Sequence, residues 1–222
     1  MIALQLNNWN ESQKLLKKEV QVYQEIHSEL LETLMDLEDD VEDIEDSYNA
    51  SLIVRDMLIN RQIEIDTLML YLPEVFDLEQ SNPKTSAFES LKSLGLDILS
   101  NDSLRQKITT LYQLSIPLVM QSDAAVENAK FRNKIYPLLE HHLMVNREKT
   151  SQKKKAGKFA WSRKFNHINI KDIDHLIEDE LLLLTLQKSL SWRWIVISQH
   201  QKTIGEINQI RFLINEEIHR LQ

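Results

Sequence analysis

The run "DLEDDVEDIED" crowds eight carboxylates together: Asp36, Glu38, Asp39, Asp40, Glu42, Asp43, Glu45 and Asp46. Such a cluster suggests a calcium site. A calcium loop needs a turn that aims several oxygens at one point, whereas Leu37, Val41 and Ile44 keep helical spacing straight through the run, and carboxylates on a helix diverge. A solvated helix face is therefore expected. Glu216 and His219 form one Glu-x-x-His, the spacing that puts a carboxylate and an imidazole on one helix face, but a di-iron bundle needs two such motifs and two further glutamates. No second copy exists in the sequence. His141 and His142 point about 100° apart on a helix and cannot chelate one ion together. No serine sits in Gly-x-Ser-x-Gly, and three glycines leave little material for a phosphate-cradling loop. With no cysteine, disulfides, thiolate metal sites and a cysteine nucleophile are excluded. The expectation is a protein with no catalytic, cofactor or metal residues.

Two further groups suit contact rather than catalysis. Trp192 and Trp194 flank Arg193 and lie about 200° apart on a helix, so one enters the core while the other faces a rim or a partner. Between Arg147 and Phe165, eight basic residues stand against Glu148 alone, with Phe159, Trp161 and Phe165 interleaved. Lys153, Lys154, Lys155, Lys158, Trp161, Arg163 and Lys164 form a candidate contact for an anionic partner or a lipid surface. The alternative is a solvated connector, or one that folds against the acidic helix of its own chain or a neighbour. The overall charge of −8 argues against general nucleic-acid binding.

These residues sit in a chain with the raw material of helices. Of 222 residues only three are glycine and four proline, and 42% are hydrophobic, enough for a substantial core. From Leu16, apolar residues fall at Val20, Tyr23, Ile26, Leu30, Leu34, Leu37, Val41, Ile44 and Tyr48, which is one narrow helical stripe. Continued to Leu72 without a break near Tyr48 and Asn49, a helix from Trp9 would be about 95 Å long. Such a helix must pair with others or with a second copy. Ala87–Leu94 reads as a short helix stopped at Gly95. Asn101 or Asp102 caps a third helix, with Leu104, Ile108, Leu111, Tyr112 and Leu114 on one face, expected to reach about Val145 and to kink at Pro117. Residues 147–166 read as a long basic loop. Asn169 or Asp172 caps the next helix, and the chain is then helical to its end, with a stripe at Ile204, Ile207, Ile210, Ile214 and Ile218. The expected fold is all-α, an elongated helical bundle with a long, stalk-like N-terminal helix.

The opening "IALQLNNWNE" carries a resemblance. It is similar to the end of the signature of an uncharacterised bacterial family of single-span membrane proteins, in which a basic N-terminal segment precedes a hydrophobic helix ending in "GILIALQINNWNE". The resemblance continues at "AFESLKSLGLDILSNDSLRQKITTLY" and loosely at "IDHLIEDELLLLTLQ" and the final helix, so most of the chain is covered. It implies that residues 1–10 are the end of a transmembrane helix whose beginning precedes Met1. Trp9 would then sit at the membrane interface, with residues 11–222 as one extracytoplasmic domain. No window of the chain itself approaches the roughly 20 apolar residues that span a bilayer.

The resemblance implies inner-membrane anchoring with the domain in the periplasm; without the span, a cytoplasmic interaction module is the alternative. The family implies no activity or catalytic residues. The expected role is non-enzymatic, in protein interaction or sensing, with self-association as a dimer and an envelope protein as partner. A small-molecule sensor is the rival reading.

Overall fold

The computed structural model of the protein describes residues 2–72, 74–76, 81–122, 125–145 and 168–222. The protein is all-α, with α1 (Ile2–Asn60), α2 (Ile65–Tyr71), α3 (Ser86–Leu94), α4 (Asp102–Thr110), α5 (Ile116–Ser122), α6 (Ala125–His142), α7 (Ile173–Ile177) and α8 (Glu180–Leu221). Two three-residue strands, β1 (Leu143–Val145) and β2 (Ile168–Ile170), pair antiparallel with Met144 opposite Asn169. Among the described residues, no helix is long and apolar enough to cross a membrane. The basic segment 147–166, with Lys153, Lys154, Lys155, Lys158, Trp161, Arg163 and Lys164, lies outside the described residues.

The acidic run is helical throughout, since α1 passes Tyr48 and Asn49 without a break and stops only at Asn60. Its stop is a Schellman cap made without glycine: Arg61 takes φ 55°, its N–H bonds Leu58 O at 3.2 Å, and Gln62 N–H bonds Met57 O at 3.1 Å. No lysine or arginine occurs between Lys18 and Arg55. Within the helix, the carboxylates from Glu19 to Asp46 therefore have no lysine or arginine one turn away.

The chain divides into two compact units, one built from residues 1–40, 81–122 and 199–222, the other from residues 41–80 and 123–198. In the first, Tyr23, Ile26, Leu30 and Leu37 of α1 pack with Phe88 and Leu91 of α3, with Leu104 and Ile108 of α4, and with Ile207, Ile210 and Ile214 of α8. Phe88 and Tyr112 stack with ring centres 4.6 Å apart. In the second, Ala50, Val54 and Leu58 of α1 meet Leu68, Ile135, Leu139, Leu176, Leu182 and Leu186. The stripes on α1 and α8 thus point inward, as their spacing predicts.

The connections show where neighbouring turns override a pattern. Gly95 stops α3 at φ 96°, and Asn101 Oδ1 accepts from Leu104 N–H at 3.1 Å to start α4. Five residues before α5, Leu111–Ser115, form a π-helical turn. Pro117 lacks an N–H and its ring would crowd the carbonyl of Gln113, and the widened turn accommodates it. The extra residue per turn rotates the face: Leu114, expected in the stripe, is exposed, and Ser115, Ile116 and Val119 are buried. The third helix does not reach Val145 either. The last of its described segments, α6, ends at His142, where Lys171 Nζ bonds the last carbonyls, Glu140 O at 3.2 Å and His141 O at 2.9 Å, and the chain enters β1. Asp172, with Oδ1 3.0 Å from Asp174 N, caps α7. Asn169 lies in β2.

Candidate interaction surface

Along α8, Leu181, Leu184, Lys188, Ser191, Ile195 and Ser198 are all exposed. Their alternating spacing of three and four puts them on one line of the helix surface. Leu181 is 58% exposed, Leu184 49% and Ile195 55%, and Trp194, 60% exposed, stands at the edge of the line. Trp194 is steadied by Tyr48 of α1, with ring centres 6.4 Å apart. Its neighbour Trp192 instead packs on Ile44, Val196 and Ile197. The division of the two tryptophans between core and surface follows from their angular separation. The line itself carries one charge, Lys188, in a chain of net charge −8, and beside it Gln187 accepts from Arg55 of α1, which is paired with Asp56. A charge-poor face with large apolar side chains and a rigid aromatic matches the composition of docking surfaces.

The face is set by what lies behind it. Arg193 is 2% exposed. Its Nη1 donates to Ser51 Oγ at 2.5 Å and its Nη2 to Val75 O at 2.6 Å, while the guanidinium lies 5.5 Å from the Phe131 ring centre. Ser51 Oγ in turn donates to Ser47 O, and Ser47 Oγ to Glu74 O at 2.6 Å. These bonds fix α8 in rotation against α1 and the Glu74–Phe76 turn, and so decide which side of α8 faces out. At the start of α8, Asp179 Oδ1 accepts from Leu182 N–H and its Oδ2 lies 2.7 Å from His142 Nε2. Burial alone would raise the Asp179 pKa, but the bonds from His142 and Leu182 hold it below the usual carboxylate range.

Other polar groups are already committed. Ser81 Oγ donates to Asp40 Oδ2 at 2.5 Å and lies 2.8 Å from His200 Nε2. One hydroxyl thus bridges a carboxylate of α1 and an imidazole of α8. Glu29 is buried and accepts from Ser86 Oγ, from Ala87 N–H at the start of α3, and from Tyr112 Oη. It caps α3 from another helix, and burial together with the Glu29 charge pushes the Tyr112 phenol well above its ordinary pKa. Glu217 is bonded by Arg220 and by Asn101 Nδ2, while Glu216 and His219 are exposed. His141 is exposed and His142 buried, their rings edge to face. Among the described residues no three His, Cys, Asp or Glu side chains converge to hold a metal ion.

Space for a small molecule is limited where the core is apolar. The cavity among Val54, Leu68, Leu72, Ile135, Leu139 and Leu186 measures about 10 Å³, room for one water at most. A cleft of about 340 Å³ between α1 and α3 is open to solvent and lined by Glu25, Ser28, Glu32 and Lys84. There Lys84 is paired with Glu32. Trp9 is exposed on α1.

Spacing shows that one of Trp192 and Trp194 faces out, but it does not single out the α8 line, because the buried Leu182, Leu186 and Leu190 follow the same helical period. Asp40, Ser81 and His200 are far apart in sequence and meet only through folding, so no local signal announces them. Compared with family models, with curated proteins and with solved structures, the chain matches none, and its own residues must carry the functional reading.

Proposed function

We propose that the chain is the non-enzymatic interaction domain of a membrane-anchored envelope protein. The observation that carries the interaction reading is the charge-poor, exposed line of α8 with Trp194 at its edge. Such a face loses little on desolvation and gains from apolar burial. The buried polar groups support a structural assignment, because Arg193, Glu29, Asn101 and His142 each bond a group on a different element. The small volume of the enclosed apolar cavity among the described residues of the second unit weighs against the sensor reading. Anchoring rests on the likeness of "IALQLNNWNE" to the end of a membrane span, with exposed Trp9 at the interface. The basic segment 147–166 would meet anionic headgroups or an anionic partner.

One experiment separates the two parts. The gene is expressed with its in-frame upstream codons, a photo-crosslinking amino acid is placed at Leu184 or, as control, at exposed Glu89, and the cells are fractionated. The expected result is protein in the membrane pellet and adducts from position 184 well above those from position 89. Soluble protein removes the anchor, and equal adducts remove the interaction face. Vesicle binding unchanged by Trp161→Ala combined with neutralised Lys153, Lys154 and Lys155 would remove lipid contact by the basic segment.

A further inference from the structure

We propose that the partner of the α8 face is a second copy of this chain, paired antiparallel through the line from Leu181 to Ser198; this rests on the interaction reading above. Charge makes the first argument. Two copies of a chain of net charge −8 repel, least where they meet through a line whose own charge is Lys188 and whose border is the mutually neutralising Arg55–Asp56 pair. Outward α1 offers the opposite case, since from Glu19 to Val54 it holds acids and no lysine or arginine.

Register makes the second. The exposed positions follow the 3-4 spacing of a helix seam, roughly 25 Å long at 1.5 Å per residue. Pairing about a two-fold axis between Ser189 and Leu190 sets Leu184 against the partner's Ile195 and, by symmetry, Ile195 against the partner's Leu184. It sets Lys188 against the partner's Ser191, and Leu181 against the partner's Ser198. Every layer is then apolar on apolar or has a small hydroxyl on one side. A parallel, in-register pair would stack Lys188 on the partner's Lys188, which like-charge repulsion disfavours. The line is thus self-complementary in one orientation, as a two-fold contact requires. Trp194, held by Tyr48, flanks the seam as a rigid aromatic edge.

The chain has no cysteine, so introduced thiols report the pairing alone. Leu184→Cys and Ile195→Cys proteins, mixed and mildly oxidised, should give disulfide dimers at least tenfold more than either alone. Lys188→Cys mixed with Ser191→Cys should do the same. All four sites are exposed, and unchanged far-ultraviolet circular dichroism checks the fold. Unmodified protein in light scattering should rise with concentration from 26.2 kDa towards twice that mass. Bridging of Leu184→Cys by itself as readily as in the mixture overturns the antiparallel pair. A mass fixed at 26.2 kDa at all concentrations, without bridging, overturns the second copy. If the photo-crosslinker at position 184 then still captures another protein in cells, the interaction reading stands and only this inference fails; if it captures nothing, both fail.

Discussion

Arg193 is a cation inside an apolar unit, tolerated because Ser51 Oγ and Val75 O accept its protons and Phe131 lies within cation–π reach. Arg193→Ala should lower unfolding free energy in urea by about 3 kcal/mol, since it strands two buried acceptors and leaves a void. Asp179 gives a pH signature. Its carboxyl is held below the ordinary value of about 3.9 in the folded state, so its contribution is complete above that value and is lost as pH falls through the lowered one. Replacing it as Asp179→Asn should flatten the acid limb of stability below about pH 4, read by thermal melts across pH. At this scale the sequence was partly legible. The separation of Trp192 from Trp194 followed from helix geometry, whereas the Arg193 anchorage and the Ser81 bridge between Asp40 and His200 join residues 41 to 142 positions apart.

At the scale of elements, periodicity found the helices, and cap residues marked the ends at Gly95, Asn101 and Asp172 but not those at Asn60 and His142. The inward stripes of α1 and α8 were predictable because burial favours one face over many turns. The stop at Arg61 was not, because an arginine in the left-handed region gives no sequence signal. Arg61→Gly should raise stability by about 0.5–1 kcal/mol in chemical denaturation, since glycine adopts φ 55° without steric cost. Asn101→Ala should lower it by about 1 kcal/mol or somewhat more, because the side chain both caps α4 and bonds Glu217. The exposure of Leu114 had a readable cause in Pro117, but the π-helical turn that rotates the face had no signal of its own in the spacing. The hairpin was hidden because Leu143–Val145 continues a helical pattern for less than one turn.

For the molecule as a whole, the all-α class was legible from composition and spacing, and the division into two units was not. Both α1 and α8 supply core residues to each unit, so no linker marks a boundary. Removing residues 199–222 strips Ile207, Ile210 and Ile214 from the first unit's core. Helical circular dichroism should then fall by clearly more than the deleted residues account for, because Tyr23, Ile26 and Leu30 lose their cover.

The base-free stretch of α1 has a practical consequence for anyone digesting the protein. Trypsin cuts after lysine and arginine and finds no such bond between Lys18 and Arg55. The acids and the inward stripe of that stretch should therefore leave a complete digest together, as one long anionic peptide whose mass reports any change made to either face.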